Sequence, residues 1–154
     1  RKWAMEKLDD LDFRIMELLK DDARLTTGEM SKELRMAQTT IHNRIKRMRS
    51  LGVVKRFTVD LDRKKIGRGL VAYILCTVSY HSARGQKISQ FNVAQSIKEL
   101  PEVEEVSIVT GEIDMIVKVS LVDVDALNEF VISKLRNIEG IEKTITSVVL
   151  SEVD

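Results

Sequence analysis

The segment between Leu34 and Val59 carries seven basic residues and no acidic residue. The seven are Arg35, Arg44, Lys46, Arg47, Arg49, Lys55 and Arg56. The formal net charge of the whole chain is only +1, so these cations form a local electrostatic feature that the overall composition does not explain. A dense basic segment without acids favours binding to a polyanion.

Apolar residues in this segment recur at a helical spacing. Ile41, Ile45, Met48 and Leu51 lie at i, i+4, i+7 and i+10, which predicts a helix over residues 38–51 that buries all four. The opposite face then carries polar side chains, namely Thr39, His42, Asn43, Lys46 and Ser50. Such a face suits the major groove of duplex DNA, where short polar groups reach base edges and flanking cations reach phosphates. A solvated amphipathic helix without a partner would show the same pattern, so the neighbouring elements decide.

Two helical patterns precede this segment and predict a helix-turn-helix. Asp9 and Asp10 are N-cap candidates for a first helix that ends near Asp21. Thr26 and Glu29 have the spacing of a capping box at the start of a short second helix. A three-residue turn then leads into the basic helix, which takes the position of a recognition helix.

A linking segment separates two regions of opposite charge. The chain carries a net charge of +7 up to residue 68 and −6 beyond it. Alternating apolar residues predict a strand over residues 54–61, and a glycine-punctuated basic stretch follows it. We therefore predict a DNA-binding domain with its linking strand over residues 1–62, a hinge over 63–69, and a second domain over 70–154.

The second region alternates strands with helices. We expect strands over residues 70–80, 103–110, 115–121 and 141–150, and helices over 86–100, with Phe91 in its buried stripe, and 123–138. The order βαββαβ predicts a ferredoxin-like α+β domain with a four-stranded antiparallel sheet and both helices on one face. The strands carry too many apolar residues for the other face to lie in water, so we expect self-association across it.

Composition limits the classes of function. With 154 residues, 44% of them hydrophobic and 32% charged, the chain is typical of a globular protein. The absence of a long apolar run and of a signal-peptide pattern predicts a cytoplasmic protein with no membrane partner. Cys76 lies in an apolar run and is expected to be a buried thiol. His42, His81 and Cys76 are isolated and no catalytic motif occurs, so we expect no metal, no cofactor and no catalytic residues.

Several short motifs follow one another along the chain in a definite order. They are Leu8-Asp9-x-x-Asp12-x-x-Ile15, Asp22-Ala23-Arg24-Leu25, Thr40-Ile41-x-x-Arg44-Ile45-Lys46-x-Met48, Gly52-Val53-Val54, Pro101-x-Val103, Thr110-Gly111-x-x-Asp114 and Thr144-x-Thr146. Together they resemble the Lrp/AsnC (feast/famine) family of bacterial and archaeal transcription regulators, whose second half is the RAM (regulation of amino-acid metabolism) domain. The resemblance implies dimers formed through the linking strand and the RAM sheet, assembly into tetramers or octamers, and an amino acid bound between RAM domains near the Gly-x-x-Asp turn.

Two features depart from the family pattern. Ala37 stands where members commonly have a serine that caps the recognition helix, and the missing cap costs about 1 kcal/mol of helix stability. Residues 81–85 form a rather long segment, which would change the lip of a ligand site. Neither departure alters the expected fold.

The helical pattern and the resemblance together predict the DNA contacts. We expect them from Gln38, Thr39, Thr40, His42, Asn43, Arg44, Lys46, Arg47, Arg49, Lys55 and Arg56. Arg44 lies beside the buried stripe, so an ion pair with an aspartate of the first helix is as well supported as a phosphate contact. A symmetric dimer would bind a pseudo-palindromic operator whose half-sites lie one helical turn, ~34 Å, or a multiple of it, apart.

The turn at Gly111 is the candidate effector site. A glycine lets a ligand carboxylate approach backbone N–H groups, and Asp114, expected to be an unpaired carboxylate, can bind an ammonium group. The residues expected to contact an effector are Thr110, Gly111, Glu112, Asp114, Thr144, Thr146 and Ser147. An ordinary β-turn would explain the glycine and aspartate, and cross-strand hydrogen bonds would explain the three hydroxyls equally well.

These patterns predict a sequence-specific DNA-binding transcriptional regulator that is not an enzyme. An amino acid or a related small molecule would modulate its DNA binding or assembly as a homo-oligomer. One alternative is an architectural DNA-wrapping protein without an effector. Another is an enzyme of the siroheme decarboxylase type, which uses a similar two-domain scaffold but would not need an acid-free basic recognition segment.

Overall fold

The computed structural model describes residues 8–152. Residues 1–7 and 153–154 of the two predicted terminal domains lie outside the described residues. The chain divides into two compact units, one ending at Asp60 and the other beginning at Leu61. The predicted limits of 1–62, 63–69 and 70–154 stay predictions.

The first unit is a helix-turn-helix, as predicted. Its helices are α1 (Asp10–Asp21), α2 (Thr27–Leu34) and α3 (Gln38–Ser50). Their fully or almost fully buried apolar residues are Ile15, Met30, Leu34, Ile41 and Met48. Each such side chain contributes roughly 1.5–3 kcal/mol relative to leaving it exposed. Leu51 was predicted in the buried stripe of α3 but is 37% exposed, because the helix ends at Ser50 and Leu51 is its C-cap.

Local hydrogen bonds determine where α1 and α2 begin. Asp9 Oδ1 accepts from the N–H of Asp12 and Asp12 Oδ2 accepts from the N–H of Asp9, both at 3.1 Å. Thr26 Oγ1 accepts from the N–H of Glu29 at 3.2 Å, and Glu29 Oε2 accepts from the N–H of Thr26 at 2.8 Å. These are two reciprocal capping boxes. By contrast, the N-cap of α3 is Ala37, which offers no side-chain hydrogen bond.

The segment of residues 54–61 does not form the predicted strand. No strand in the described part of the chain pairs with it. A β-strand needs a hydrogen-bonded neighbour, which an alternating sequence pattern alone does not supply. As a result Phe57 and Val59 are 45% and 73% exposed.

The second unit has the predicted ferredoxin-like fold. Its strands are β1 (Leu70–Val78), β2 (Val103–Ile108), β3 (Met115–Leu121) and β4 (Ile141–Val148), in the antiparallel order β2-β3-β1-β4. Its helices are α4 (Gln90–Lys98) and α5 (Val124–Glu129), and α5 continues as a π-helical turn (Phe130–Lys134) and a 3₁₀ turn (Leu135–Asn137). The strands β1, β2 and β4 end two residues earlier than expected.

The two faces of this sheet have different surroundings. Alternate residues of β1 and β3 pack with both helices in a single apolar core that includes the fully buried Ile74, Val117 and Ile97. The opposite face carries Leu75, Ile116, Tyr73 and Ile145, which are half-buried or exposed. One face of the sheet is therefore an apolar surface that the described residues of this chain leave partly uncovered.

Helix α4 begins four residues later than predicted. Its N-cap is Ser89, whose Oγ accepts from the N–H of Asn92 at 3.4 Å. The helix buries Val93 and Ile97, which are one turn apart. Phe91 lies off that stripe and is 62% exposed, so its predicted burial is wrong.

The loop before β4 passes close to α4. Gly140 has a φ of +103°, a conformation that side chains strongly disfavour. A Cβ at this position would lie 3.0 Å from a methyl of Ile88 and 3.1 Å from a methyl of Val93. Only glycine therefore fits both the backbone conformation and the available space.

Two further expectations concern the chain as a whole. Cys76 has no exposed surface, which confirms the expected buried thiol, and burial raises the pKa of that thiol to about 11. Within residues 8–152, none of the helices combines the length and the apolar character that crossing a bilayer requires.

Candidate nucleic-acid interface and candidate ligand turn

Helix α3 presents most of the predicted DNA-contacting side chains to solvent. The exposed ones are Gln38, Thr39, His42, Asn43, Lys46 and Arg49 on the helix, and Lys55 and Arg56 in the segment after it. Thr40, Arg44 and Arg47 are half-buried at the flanks. The helix is held from beneath by Ile41 and Met48, neither of which has any exposed surface. The polar face therefore stands on a packed base.

Two of the cations on α3 are engaged within the protein. Arg44 Nη1 lies 2.6 Å from Asp9 Oδ2 and 3.1 Å from Asp12 Oδ2, and Arg47 Nη1 lies 3.4 Å from Asp12 Oδ2. The Arg44 guanidinium beside Asp9 holds the pKa of that carboxyl below its usual value. The structure thus shows the ion pair that was one of two interpretations of Arg44, while its contact with DNA stays a prediction.

The remaining cations differ in their surroundings. Lys46, Lys55 and Arg56 form no ion pair with any described residue. The Arg49 guanidinium lies 5.6 Å from the centre of the Phe57 ring, within the range of a cation–π contact. A phosphate approaching α3 would therefore meet Lys46, Lys55 and Arg56 without having to displace an acidic partner.

The candidate ligand turn, residues 110–114, is closed at its base and open at its tip. The N–H of Val109 donates to the carbonyl of Asp114 at 2.8 Å, and the N–H of Asp114 donates to the carbonyl of Cys76 at 2.9 Å. At the tip, Thr110, Gly111 and Glu112 are exposed, and their backbone N–H groups donate to no acceptor among the described residues. Gly111 has a φ of +123° and empty space where a Cβ would lie.

Asp114 is not the unpaired carboxylate that the sequence predicted. Its Oδ2 accepts from the N–H of Val78 at 2.8 Å, and its Oδ1 accepts from the Gln90 side-chain amide at 2.9 Å. Both donors are neutral, and no basic side chain among the described residues pairs with Asp114. A carboxylate has about four acceptor positions, and the two observed hydrogen bonds occupy two of them and hold the group in place.

Gln90 is the component of this site that sequence reasoning missed. It is the first residue of α4, and its partner Asp114 lies 24 positions further along the chain. A glutamine at the start of a helix carries no signal that distinguishes a buried contact from a solvated surface residue. Only the packing of α4 beside the end of β1 reveals it.

The three predicted hydroxyls of β4 are not gathered at the turn. Thr144, Thr146 and Ser147 pair across with Cys76, Ile74 and Tyr73 of β1. Thr144 also accepts a hydrogen bond from Arg136 Nε at 3.2 Å. β1 therefore separates these residues from β3, and only Thr144 is level with the end of the sheet that bears the turn. Their contact with an effector stays a prediction.

The fold and these two surfaces define a helix-turn-helix protein that carries a second, ferredoxin-like domain with an open polar turn. Residues 8–55 match the family model of winged helix-turn-helix DNA-binding domains, and residues 72–154 match that of the Lrp/AsnC ligand-binding domain. The chain belongs to the Lrp/AsnC family of transcriptional regulators, which confirms the resemblance found in its sequence motifs.

Individual relatives agree with this assignment. The chain is 38% identical over 143 residues to the HTH-type transcriptional regulator FL11 of Pyrococcus furiosus, covering 93% of this chain and 89% of FL11. Its fold is similar to a transcriptional regulator of Neisseria meningitidis solved in complex with L-methionine, with a TM-score of 0.87, 26% identity and coverage of 96% and 93%. AsnC of E. coli gives a TM-score of 0.80, 28% identity and coverage of 95% and 94%. The chain is a transcriptional regulator with a DNA-binding helix-turn-helix and a ligand-binding domain.

Proposed function

We propose that this regulator binds a particular duplex DNA site as a homo-oligomer and that an amino acid, or a close chemical relative, alters its DNA affinity or assembly. The observation that carries the proposal is the exposed face of α3. That face combines short polar side chains with cations, contains no acid, and lies above buried apolar residues. The predicted contact residues divide by their chemistry into two groups.

The first group reads bases and the second contacts phosphates. Thr39, His42 and Asn43 have short polar ends that reach base edges in the major groove, and an asparagine can bond an adenine through two hydrogen bonds. Lys46 and the cations that follow it meet phosphates, which fixes position without reading sequence. Each phosphate neutralised should make the logarithm of affinity fall by about 0.9 per unit of log salt concentration.

The effector proposal rests on complementary charge at residues 110–114. An amino acid carries an ammonium group for the open acceptor positions of Asp114 and a carboxylate for the unbonded N–H groups around Gly111. The L-methionine complex of the Neisseria meningitidis regulator supports this class of ligand for the fold. Because the tip of the turn is exposed, a second copy of the chain would have to supply the remaining walls.

The proposed homodimer rests on two exposed apolar surfaces of the chain. The uncovered face of the sheet carries Tyr73 and Ile145, which are 38% and 49% exposed. The segment of residues 54–61, which pairs with no strand in the described chain, carries exposed alternating apolar side chains at Phe57, Val59 and Leu61. Two-fold pairing at these surfaces gives the symmetric dimer that a pseudo-palindromic operator requires.

A footprint on the DNA upstream of the protein's own coding sequence tests the first half of the proposal. We expect a protected site with two half-sites about one helical turn, or a multiple, apart. Thermal unfolding in the presence of each of the twenty amino acids tests the second half. A ligand at 100 times its Kd should stabilise the protein by about 2.7 kcal/mol, and the same ligand should change the footprint.

The outcomes separate the alternatives. Uniform protection of DNA with no preferred site, and no response to any amino acid, would indicate an architectural DNA-wrapping protein. An amino acid that binds but never alters DNA binding would contradict the regulatory coupling, which must be reciprocal between the two ligands. We assign no catalytic activity to this protein, because the relatives that it resembles are transcriptional regulators.

A further inference from the structure

Two carboxylates of α1 face two guanidinium groups of α3. Asp12 has no exposed surface, and its Oδ2 lies 3.1 Å from Arg44 Nη1 and 3.4 Å from Arg47 Nη1. Asp9 lies at the solvent edge of this cluster, with 52% of its side chain exposed, and its Oδ2 is 2.6 Å from Arg44 Nη1. The shortest ion pair of the cluster is therefore also the one that solvent and DNA can reach.

Asp9 is held in position by its own helix. Its Oδ1 accepts from the N–H of Asp12 as the N-cap of α1, which leaves Oδ2 directed at Arg44. Because the carboxylate is already ordered by capping, pairing with Arg44 costs little additional side-chain entropy. Arg44 in turn comes from one flank of the helix that we assign to DNA binding and is half-buried, with 29% of its side chain exposed.

We propose that Asp9 competes with DNA phosphates for Arg44 and so lowers the affinity of the regulator for non-specific DNA. Non-specific binding depends on phosphate neutralisation alone, so each cation withheld weakens it directly. Operator binding is weakened in the same way, because a phosphate contact carries no sequence information and its loss weakens binding to all sequences alike. The carboxylate therefore sets the general strength of DNA binding and not the preference for the operator. The inference rests on the DNA binding through α3 proposed above.

The charge of Asp9 can be removed without losing the N-cap of α1. Asn caps helices as well as Asp does, so Asp9→Asn keeps the capping hydrogen bond and removes the more exposed of the two charges that face Arg44, leaving the contact with Asp12 Oδ2 in place. Asp9→Ser, another neutral N-cap, provides a second variant if the first should fold poorly. Thermal unfolding of each variant establishes that it is folded under the conditions of the binding assay.

Asp10→Asn is the matched control. Asp10 is exposed in the first turn of the same helix, adjacent to Asp9, and pairs with no cation among the described residues. Its substitution removes the same charge from the same end of α1 without releasing Arg44. Lys46→Gln is the control for the assay, because Lys46 is exposed and free of acidic partners among the described residues, and its loss should reduce the salt dependence.

The measurement is the affinity for a random-sequence duplex of 30 base pairs, by fluorescence anisotropy over a series of KCl concentrations. Asp9→Asn should steepen the slope of log affinity against log salt by up to about 0.9 per subunit and raise the affinity by up to roughly tenfold per subunit at 0.1 M salt. Asp10→Asn should leave the slope at the parent value. The double variant Asp9→Asn/Arg44→Gln should return the slope to that of the parent, because the released cation is then missing.

Equal slopes for Asp9→Asn, Asp10→Asn and the parent would overturn the inference and leave the proposed function standing. A steeper slope that persists in the double variant would also overturn it, because a cation other than Arg44 would then be responsible. A parent chain that binds neither this duplex nor the DNA upstream of its own coding sequence would overturn the proposed function itself, and the inference with it.

Discussion

The recognition helix and the ligand turn differ in how much of each site a single chain builds. On α3 the helix packs on buried apolar residues, and most of the predicted DNA-contacting side chains are exposed to solvent. At residues 110–114 the key carboxylate is already bonded to two donors, while the backbone N–H groups at the tip have no acceptor in the described chain. Under the proposed function, DNA would therefore meet a surface that one chain completes, whereas an effector would meet a site that one chain builds only in part.

This difference bears on what each site can do. A rigid helix face needs no rearrangement to enter a groove, so its affinity depends on contacts that already point outward. A site completed by a second copy responds to assembly, because ligand binding and subunit contact then stabilise each other. The ligand turn is consequently the better place for regulation, and α3 the better place for sequence recognition.

The largest expected effect is at the ligand turn. Asp114→Asn removes the charge that we pair with the effector's ammonium group, and charge-assisted hydrogen bonds are worth roughly 1.5–3 kcal/mol. Effector affinity should fall by about one to two decades in calorimetric titrations, with L-methionine as the first probe and the other amino acids after it. Effector-free DNA binding should be unchanged. Asp125→Asn, an exposed carboxylate in the first turn of α5, is the matched control.

Gln90→Ala sharpens the same test, because Gln90 orients Asp114 without carrying charge. Its loss should reproduce only a part of the effect of Asp114→Asn, on the order of 0.5–1.5 kcal/mol. If Asp114→Asn bound the effector as tightly as the parent, the site would lie elsewhere and the contrast drawn between the two surfaces would fail.

The next effect is at the recognition helix. Asn43→Ala should lower operator affinity by about 1–3 kcal/mol and relax base preference at one position, leaving random DNA unaffected. Lys46→Ala should instead weaken operator and random DNA alike and reduce the salt slope. Anisotropy titrations on both kinds of duplex distinguish the two. Equal losses on specific and random DNA from Asn43→Ala would show that Asn43 is not a base reader.

A smaller effect is expected at the start of α3. Ala37 offers no cap, whereas Asp9 and Thr26 cap α1 and α2. Ala37→Ser should raise the free energy of unfolding by about 1 kcal/mol, because a serine hydroxyl oxygen can accept a hydrogen bond from one of the unbonded N–H groups of the first turn. Ala37→Gly lacks that hydroxyl and controls for backbone effects. Chemical denaturation monitored by circular dichroism measures both, and a serine no better than glycine would contradict the capping argument.

The smallest expected effect is on the pH dependence of the stability of the second unit. Arg63 makes two contacts with Glu104, at 2.7 and 2.9 Å, and holds the pKa of that carboxyl below its usual value of 4.5. A lowered folded-state pKa stabilises the protein above about pH 4.5, and the contribution is lost as pH falls through the folded value. Glu104→Gln should therefore be less stable than the parent at pH 7, by under about 1 kcal/mol, with the difference closing below pH 4.5.

Unfolding midpoints measured between pH 7 and pH 3 test this dependence. Glu105→Gln changes a neighbouring exposed carboxylate that pairs with no basic side chain among the described residues, and it should show no such convergence. A Glu104→Gln difference that stayed constant over the whole range would mean that the pair contributes through packing alone.

The helices of the first unit were predictable because their signals are local. Asp9, Thr26 and the apolar spacing of α3 each lie within a few residues of the feature they determine. The positions of the β-strands along the chain were predictable in the same way, from their local apolar pattern. For Arg44, the position beside the buried stripe left two interpretations open, and the structure shows one of them, the ion pair with Asp9 and Asp12.

The features that the sequence did not disclose depend on partners that are distant along the chain. The start of α4 was misplaced because Ile88 continues the apolar spacing of the helix although it belongs to the preceding loop. The predicted strand at residues 54–61 has the alternating pattern of a strand but no pairing partner within the described chain, so it does not form. The bond from Gln90 to Asp114 joins residues whose types suggest nothing about each other until the fold brings them together.

The tight passage of Gly140 over α4 also constrains how this sequence can diverge. A side chain at position 140 would need a rarely adopted backbone conformation and would press on methyl groups of Ile88 and Val93. Substitution at this position therefore requires both a different backbone conformation and smaller side chains at positions 88 and 93. Over evolutionary time the three positions should change together or not at all, so descendants of this chain would record the contact as a set of correlated substitutions.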